Sequence, residues 1–369
     1  MQQRTFDVRE FGAVGDGRTD STAAIQKALD TAADSQGAVT VPGGVYCCSM
    51  LRVPPRVEVR GDAGWSYREL GGAVLRLVDA SSSCLLNLTG AIGATLTGLS
   101  LDGRELGAES HGILVDNAEY GEEDTIRIER CCIRRFTGDG IRLRRIFGFF
   151  VRQSMAIRNG GCGLWIRGWD ALVADNCFSG NGKSGFGAYE ENASITFTGN
   201  RVEWNREAGV LIQGGTHYNI TGNYIDRSGG PGLWIRPRGD IAATVIAATG
   251  NLIYRSGKPE WCPADEPYAS SQVFFDGVRG LTFCGNTLNA GLDDHAKGEV
   301  SPRFGIVCRN LRSSVIKDNV LHAGATENLV RDLGGHGEAV IVRDNVGTRF
   351  VPGQTSLSSL NAVLADPAW

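Results

Sequence analysis

The sequence has no long apolar run, no basic tail and no net positive charge. No stretch of about 18 uncharged apolar residues occurs, so we expect no membrane span. The formal charge of −4 makes nucleic acid a poor candidate partner. Residues 1–12 contain no apolar stretch after a basic one, so a secretory signal was either never present or was removed. The location therefore stays open between cytoplasmic and secreted.

Proline and paired cysteine motifs are also scarce. The chain has 11 prolines against 51 glycines, which predicts dense turns rather than long helices. The ten cysteines form no CxxC metal pair, and the neighbours Cys47–Cys48 and Cys131–Cys132 cannot easily bridge internally. We expect them to be reduced core residues. A hydrophobic content of 42% argues against disorder.

A repeat organises the chain. Asparagines recur in short β-rich runs such as ITFTGNRV and NITGNYI, at Asn176, Asn200, Asn223, Asn251, Asn286, Asn319 and Asn345. The closest of them are about 23 residues apart. A glycine followed by alternating apolar and exposed positions runs in phase, in HGILVD, DGIRLR, CGLWIR, FGAYEE, AGVLIQ, PGLWIR and FGIVCR. This alternation indicates strands.

Such short coils fit one turn of a parallel β-helix, whose strands stack about 4.8 Å apart. The sequence therefore predicts an all-β chain that forms a single right-handed parallel β-helix over residues 1–369. Residues 1–60 would form an N-terminal cap and the first coils, and residues 61–350 the coils, with insertions near 256–271 and 290–303. In DSTAAIQKALDTAADSQG, the apolar spacing predicts one amphipathic α-helix that caps the open end. Residues 351–369 would form a C-terminal tail over the other end.

Two segments carry a family resemblance. FDVREFGAVGDGRTDSTAAIQKAL and the following GAVTVPGGVYCC resemble the opening of the pectate-lyase-like β-helix superfamily, which includes polygalacturonase relatives, mannuronan epimerases and phage tailspike depolymerases. The resemblance implies a relative of glycoside hydrolases and polysaccharide lyases. Pieces of the polygalacturonase catalytic series occur in another order and spacing, at His111, Asp139, Asp293–Asp294 and His336. The DPHE-type cluster of the epimerases is not found.

Residues between the inward-pointing apolar positions should face outward in two stacked rows. The first row reads Leu114, Arg142, Trp165, Tyr189, Leu211, Trp234, Phe274 and Val307, and the second Asp116, Arg144, Arg167, Glu191, Gln213, Arg236, Asp276 and Arg309. Exposed rings flanked by polar groups suit a sugar, which stacks on a ring and hydrogen-bonds at its rim. We predict substrate binding by Arg142, Trp165, Arg167, Tyr189, Gln213, Trp234, Arg236 and Phe274. The alternative is that the rings pack under a loop or at an oligomer contact.

Glu190 should take the inward position that isoleucines fill in neighbouring coils. A carboxylate there would be buried and protonated or turned outward by a local bulge, unless it simply reaches solvent at the strand end. Cleavage of a glycosidic bond needs two carboxyl groups, and the catalytic candidates on this face are Glu190, Glu191, Asp139 and Asp276. Arg167 would keep Glu191 ionised while Glu190 holds a proton.

The insertions SGKPEWCPADEPYASS and AGLDDHAKGEVSP should wall the groove and bring Trp261, Asp265, Asp294 and His295 near it, with trimer contacts as the alternative. A homo-trimer is therefore an open alternative. We expect no cofactor. Asp293–Asp294 could hold Ca²⁺, although the ligand spacing of a Ca²⁺ loop is missing.

These features favour an enzyme that cleaves glycosidic bonds of an oligo- or polysaccharide by carboxylate acid/base chemistry. The first alternative is a lyase or C5-epimerase of uronic acid chains. There Arg142, Arg167 and Arg236 would neutralise the sugar carboxylate while a tyrosine or histidine removes the C5 proton. The second alternative is a non-catalytic, tailspike-like carbohydrate-binding protein.

Overall fold

The computed structural model describes residues 4–121, 123–262 and 265–351, which fall into two compact units, residues 1–177 and 178–369. Coils in both units follow one order: a back strand, a loop, a front strand, a turn, a side strand and a second turn. Stacked strands pair in parallel, so each unit is a parallel β-helix. None of the helices among the described residues has the length and apolar character needed to span a bilayer. That one domain covers residues 1–369 stays a prediction, and residues 352–369 of the predicted tail lie outside the described residues.

Unit 1 contains three sets of strands and two short helical segments. Its front strands are Leu51–Arg52, Cys84–Asn87, His111–Asp116, Ile141–Arg152 and Leu164–Ala174, of which the last two continue into the side set. The other side strands are Thr5–Asp7, Ala38–Val41, Glu58–Gly61, Thr95–Thr97 and Ile126–Glu129. The back strands are Asp16–Asp20, Gly44–Cys48, Ala73–Leu77, Leu99–Asp102, Cys132–Arg134 and Met155–Ile157. A 3₁₀ turn, Val8–Phe11, precedes helix α1, Thr22–Ser35.

Unit 2 repeats the same three sets. Its front strands are Phe186–Thr198, which continues into the side set, Val210–Gln213, Leu233–Arg236, Ser271–Asp276, Phe304–Arg309 and Asn328–Asp332. The other side strands are Thr216–Thr221, Thr244–Thr249, Arg279–Cys284, Ser314–Lys317 and Val340–Val342. The back strands are Arg201–Glu203, Tyr224–Asp226, Leu252–Tyr254, Thr287–Asn289, Val320–Leu321 and Val346–Gly347, and Cys177–Ser179 spans the unit boundary. An antiparallel hairpin, Gly291–Asp293 with Lys297–Ser301, flanks a 3₁₀ turn at Asp294–Ala296.

Inward-pointing apolar residues stack from coil to coil and form the core. In unit 2 one such column is Val210, Leu233, Val273, Ile306 and Val330, joined by the strand register. The cysteines belong to the same interior, since all ten are free thiols and eight of them are buried. Burial raises the pKa of the Cys131 thiol to about 12, so these groups act as small apolar residues.

The predicted asparagines lie at the turn between side and back strands. In unit 2 the backbone N–H of Asn200 donates to the Asn223 side-chain oxygen at 2.9 Å, and that of Asn223 donates to Asn251 at 3.0 Å. Asn251 and Asn286 continue the series, and it closes from Asn319 to Asn345 at 3.3 Å. The side chains thereby satisfy buried backbone donors that no strand pairs.

Helix α1 covers the N-terminal end of unit 1, as predicted. Ile25, Ala28, Leu29 and Ala32 form its buried face. The Asp20 carboxylate accepts the Thr22 N–H at 2.9 Å, which satisfies a free donor of the first turn. Gln26 exchanges two hydrogen bonds with the backbone of Arg52, the end of a front strand, at 2.9 and 3.0 Å. The helix therefore replaces a neighbouring coil and protects the strand edges.

Candidate functional site

In unit 1 the register of the front strands contains both predicted rows. Leu114 pairs with Arg142, and Arg142 with Trp165. Asp116 pairs with Arg144, and Arg144 with Arg167. Trp165 and Arg167 are both half-buried. The rows therefore exist in this unit as the alternation of the sequence predicted.

In unit 2 the rows exist but one coil is displaced by two residues. The first row is Gly187, Leu211, Trp234, Phe274 and Val307. The prediction that Tyr189 belongs to this row was wrong, because Gly187 holds that place and Tyr189 follows Ala188 as Gln213 follows Ile212. The Tyr189 ring folds back over Gly187, where an added Cβ would lie 2.5 Å from Tyr189 Cε2. The glycine thus leaves room for the ring, and the sequence alternation gave no sign of this.

The same displacement removes Glu190 from the interior. Ala188, not Glu190, pairs with Ile212, so the predicted inward position of Glu190 was wrong. Glu190 is half-buried with φ 54°, and Gly214, Gly277 and Asn310 adopt the same left-handed turn with φ of 65°, 61° and 56°. Its backbone conformation is therefore the regular turn after a front strand. Glu191 is exposed, and its Oε1 lies 3.3 Å from Arg238 Nη1.

The rings predicted to form an exposed platform in unit 2 are covered. Phe274 is fully buried and Trp234 is 9% exposed, and the two rings stack 6.1 Å apart at 8°. Ala208, Leu211, Phe304 and Val307 complete a buried cluster, against which Tyr189, Tyr268 and Leu333 pack. The predicted role of Trp234 and Phe274 as exposed stacking surfaces was therefore wrong. Tyr268 of the first insertion and Leu333 of a later coil pack against the cluster that contains these two rings.

Guanidinium groups lie over three rings of the front strands. In unit 1 the Arg142 guanidinium is 4.3 Å from the Trp165 ring centre. In unit 2 Arg236 lies 4.4 Å from the Trp234 ring centre and Arg309 lies 5.0 Å from that of Phe274. Each cation remains half-buried. In each unit, cations thus lie over aromatic rings of the front strands.

Asp139 and Arg142 come together in unit 1, and His111 joins them. Asp139 Oδ2 accepts from Arg142 Nη1 at 2.8 Å, and Asp139 Oδ1 accepts the Cys162 N–H at 2.6 Å. His111 Nδ1 accepts the Asp139 N–H at 2.8 Å. Burial lowers the pKa of His111, which favours the neutral ring. Because Nδ1 accepts a hydrogen bond, the neutral ring carries its proton on Nε2. Part of this group is structural, because both side chains satisfy a backbone N–H of the following coil.

Asp276, a predicted catalytic residue, shares Arg309 with a residue that the sequence did not single out. Arg309 Nη2 donates to Asp276 Oδ2 at 2.8 Å and to Glu266 Oε2 at 3.2 Å. Asn310 Nδ2 donates to Asp276 Oδ1 at 3.1 Å, and the Tyr268 N–H donates to Glu266 Oε1 at 3.3 Å. The hydrogen bond that Arg309 donates to the Asp276 carboxylate raises the pKa of the Arg309 guanidinium. The first insertion therefore brings Glu266 and Tyr268, rather than the exposed Asp265, onto this face.

Lys258, Asp293 and Asp294 of the insertions join an ionic cluster whose centre, Asp226, belongs to a back strand. Asp226 is fully buried and accepts from Arg227 at 2.7 Å and from Arg255 at 3.0 and 3.1 Å. Arg227 also donates to Asp294. Lys258 Nζ, fully buried, donates to both oxygens of Asp293 at 2.8 Å. Burial raises the pKa of Asp226.

Trp261 and His295, the other predicted insertion residues, take no part in the ion pairs of this cluster. Trp261 stacks under Arg206 at 4.1 Å, and His295 is exposed. Asp293 and Asp294, considered above for Ca²⁺, are paired with cations of the protein itself.

Within the part of the chain that the structure describes, one grouping has metal-ligand character: Cys308, Asp332 and His336, whose ligand atoms lie within 4.8 Å of one another. His336 Nδ1 accepts the Leu311 N–H at 3.0 Å, and Nε2 contacts Asp332 Oδ1 at 2.8 Å. A neutral ring with that pattern carries its proton on Nε2 and has no lone pair for a metal there. The contacts therefore fit a hydrogen-bonded cluster better than a metal centre.

Three family models match parts of the chain. Residues 5–66 match the model described as rhamnogalacturonase A/epimerase, pectate lyase-like, and residues 184–348 match that of the right-handed β-helix region. Residues 90–231 match the model of the periplasmic copper-binding protein NosD.

Individual proteins agree with these matches. The chain is similar to mannuronan C5-epimerase AlgE3 of Azotobacter vinelandii, with 27% identity over 58% of this chain and 12% of that protein. The chain thus spans a small part of that relative's length. The solved A-module of mannuronan C-5 epimerase AlgE6 of the same organism has a TM-score of 0.69 and 18% identity, over 93% of this chain and 99% of that one. The DFA-IIIase of Arthrobacter chlorophenolicus A6 has a TM-score of 0.64 and 12% identity, over 99% of each chain. The fold is a right-handed parallel β-helix, as the sequence predicted.

Proposed function

We propose that this protein is a carbohydrate-active enzyme that modifies an acidic polysaccharide on the outer face of its front strands. The observation that carries the proposal is the set of guanidinium groups held over rings: Arg142 over Trp165, Arg236 over Trp234 and Arg309 over Phe274. Arg142 and Arg309 are already paired with Asp139 and with Asp276 and Glu266. The Arg236 guanidinium forms no ion pair among the described residues, and its planar group can bind a carboxylate through two hydrogen bonds. The buried rings of Trp234 and Phe274 support the cations rather than the sugar.

The reaction that fits this surface best is removal of the proton at C5 of a uronic acid, which leads to epimerisation or to elimination. An arginine that neutralises the sugar carboxylate stabilises the negative charge that develops when the C5 proton leaves. Tyr189 is the candidate base, because its half-buried ring lies on the front face of the unit that holds Arg236. His111 suits this role less well, since its Nδ1 lone pair accepts a backbone N–H. The similarity to mannuronan C5-epimerases agrees with this chemistry.

A second candidate, cleavage of a glycosidic bond, is favoured by Glu266 and Asp276. Both carboxylates hydrogen-bond to the same nitrogen of Arg309, so their oxygens lie close enough to flank one glycosidic bond. Paired carboxyl groups about 5 to 9 Å apart are what retaining and inverting glycosidases use. This pair replaces the predicted pair Glu190 and Glu191 as the site of that chemistry.

One assay separates the two candidates. The protein is incubated in D₂O with polymannuronate, polygalacturonate, fructans and neutral glucans. Deuterium incorporation at C5 identifies epimerisation, absorbance of a new C=C bond identifies elimination, and products heavier by water identify hydrolysis. For proton abstraction we expect Arg236→Gln and Tyr189→Phe to lower kcat about 100-fold or more.

Arg279→Gln serves as the matched control, because Arg279 is an exposed arginine of a side strand in the same unit. Activity that survives Arg236→Gln and Tyr189→Phe but is lost with Glu266→Gln or Asp276→Asn would favour glycosidic cleavage. Binding of the glycans without any product would point to a non-catalytic carbohydrate-binding protein and would contradict both candidates.

A further inference from the structure

Unit 1 holds an excess of arginine at the ends of its back strands. The group, here called the arginine cluster, consists of Arg76, Arg134, Arg135 and Arg158. Arg76 and Arg135 contact the carboxylate of Asp102. Asp102 pairs in register with Arg76 on one side and with Arg134 on the other. Arg135 follows Arg134, and Arg158 stands at the corresponding turn of the next coil, where its carbonyl accepts the Arg135 N–H at 3.2 Å.

The single acid of the group is already engaged. Asp102 is fully buried, and both its oxygens accept from Arg135 Nη2 at 2.7 Å. Arg76 Nε donates to Asp102 Oδ2 at 3.2 Å. Two guanidinium groups therefore share one carboxylate, and its charge is not available to the rest of the cluster.

Arg134 is left without an anion. It is only 7% exposed, its Nη1 donates to the Arg68 carbonyl at 3.0 Å, and its buried Nε has no hydrogen-bond partner. Among the described residues no carboxylate forms an ion pair with Arg134 or with the exposed Arg158. Burial, together with the charges of Arg158 and Arg135, lowers the pKa of Arg134. A buried cation with cations as neighbours is unfavourable unless an anion is bound.

We propose that the arginine cluster is an oxyanion-binding site, separate from the front face, formed by the Nε of Arg134 and the guanidinium groups of Arg135 and Arg158. Planar donors in consecutive coils suit the oxygens of a carboxylate or a sulfate group. That this group belongs to a saccharide chain rests on the proposed function, whereas binding of an oxyanion as such does not. The site would hold a segment of the chain remote from the reacting sugar.

The test uses the full chain and sodium sulfate, inorganic phosphate and a mannuronate trisaccharide as probes, titrated calorimetrically at constant ionic strength. We expect sulfate binding to weaken about tenfold or more in Arg158→Gln, because the Arg158 side chain is exposed and forms no ion pair among the described residues. Arg134→Met gives a second measurement. Arg56→Gln is the matched control, because Arg56 is an exposed arginine of the same unit with a φ of 58° against 54° for Arg158.

Equal sulfate and phosphate affinity in the parent, Arg158→Gln and Arg134→Met would overturn the site, as would an equal loss in Arg56→Gln. Displacement of sulfate by the trisaccharide supports a saccharide source. Sulfate binding that depends on Arg158 but is not displaced supports the oxyanion site and overturns the saccharide assignment. Because no turnover is measured, an inactive enzyme that binds sulfate at the cluster would contradict the proposed function and leave this site standing.

Discussion

Arginines follow the back strands of both units at the same turn, yet their ionic surroundings differ. In unit 1, Arg135 and Arg158 have φ of 60° and 54°, and in unit 2 Arg227 and Arg255 have φ of 51° and 48°. Arg227 and Arg255 are both 4% exposed and meet Asp226 and Asp294. The unit 1 pair has Asp102 alone. In unit 2 the arginines at this turn are part of an internal ionic cluster, to which an insertion adds Asp294. In unit 1 the arginines at the same turn have fewer acids near them and leave a surface that an anion can approach.

The largest effect on stability is expected when the ionic cluster of unit 2 loses its central acid, Asp226. Asp226→Asn should lower the free energy of unfolding by about 3–5 kcal/mol, because it removes the buried acid that Arg227 and Arg255 share and leaves the exposed Asp294 as their common countercharge. Urea unfolding followed by circular dichroism measures this change. Asp240→Asn, at an exposed acid of the same unit, is the control and should be neutral. A loss of less than about 1 kcal/mol for Asp226→Asn would show that the ion pairs of Asp226 contribute little to stability.

The equivalent change in unit 1 should cost less. Asp102→Asn is expected to lower the free energy of unfolding by about 1–2 kcal/mol, because the side chains of Arg76 and Arg135 are 31% and 40% exposed and can turn to water. The same urea experiment applies. A loss as large as that of Asp226→Asn would break the distinction between the two units.

Removal of the unpaired cation should be nearly neutral. Arg134→Met is expected to change the free energy of unfolding by less than about 1 kcal/mol, and to raise it rather than lower it in buffers without sulfate or phosphate. Thermal unfolding with and without sodium sulfate checks this, since sulfate should raise the Tm of the parent more than that of the variant. A marked loss of stability without sulfate would mean that the Arg134 guanidinium stabilises the fold in the absence of an anion.

The smallest effect is that of pH on stability, which should have opposite signs at His111 in unit 1 and at Asp226 in unit 2. Burial lowers the pKa of His111 in unit 1, so the folded state binds fewer protons there, and stability falls as the pH drops below about 6.5 towards the lowered pKa. Burial raises the pKa of Asp226 in unit 2, so its contribution favours the folded state at low pH and is lost as the pH rises through the raised pKa. His111→Asn, which keeps an acceptor for the Asp139 N–H, should flatten the loss between about pH 7.5 and pH 5.5 in urea unfolding. An unchanged slope would show that His111 does not titrate in this range.

The fold could be predicted because its signals are local and repeated. Each coil carries its own alternation and its own asparagine, so a single irregular coil does not hide the period. The register of one coil was missed, because Gly187 has no side chain and Tyr189 fills the space above it. No pattern within FGAYEEN distinguishes that arrangement from a regular strand.

The candidate site could be predicted only in part, since its chemistry depends on contacts across long sequence distances. Alternation placed Arg142 beside Trp165 and Trp234 beside Phe274, and the register agrees. It could not show that Tyr268 and Phe304 would cover the rings of Trp234 and Phe274. Nor could it choose Glu266 over Asp265 as the partner of Arg309, because the direction of a side chain in a loop follows from packing.

The asparagine series gives the β-helix a direction. Each backbone N–H in it, from Asn200 to Asn319, finds its acceptor in the coil that comes later in the sequence. A coil is therefore never complete by itself, and a chain cut after Asn251 would expose a donor that only Asn286 can satisfy. During synthesis from the N-terminus, the backbone donor of each such turn therefore lacks its asparagine acceptor until the next coil has been made.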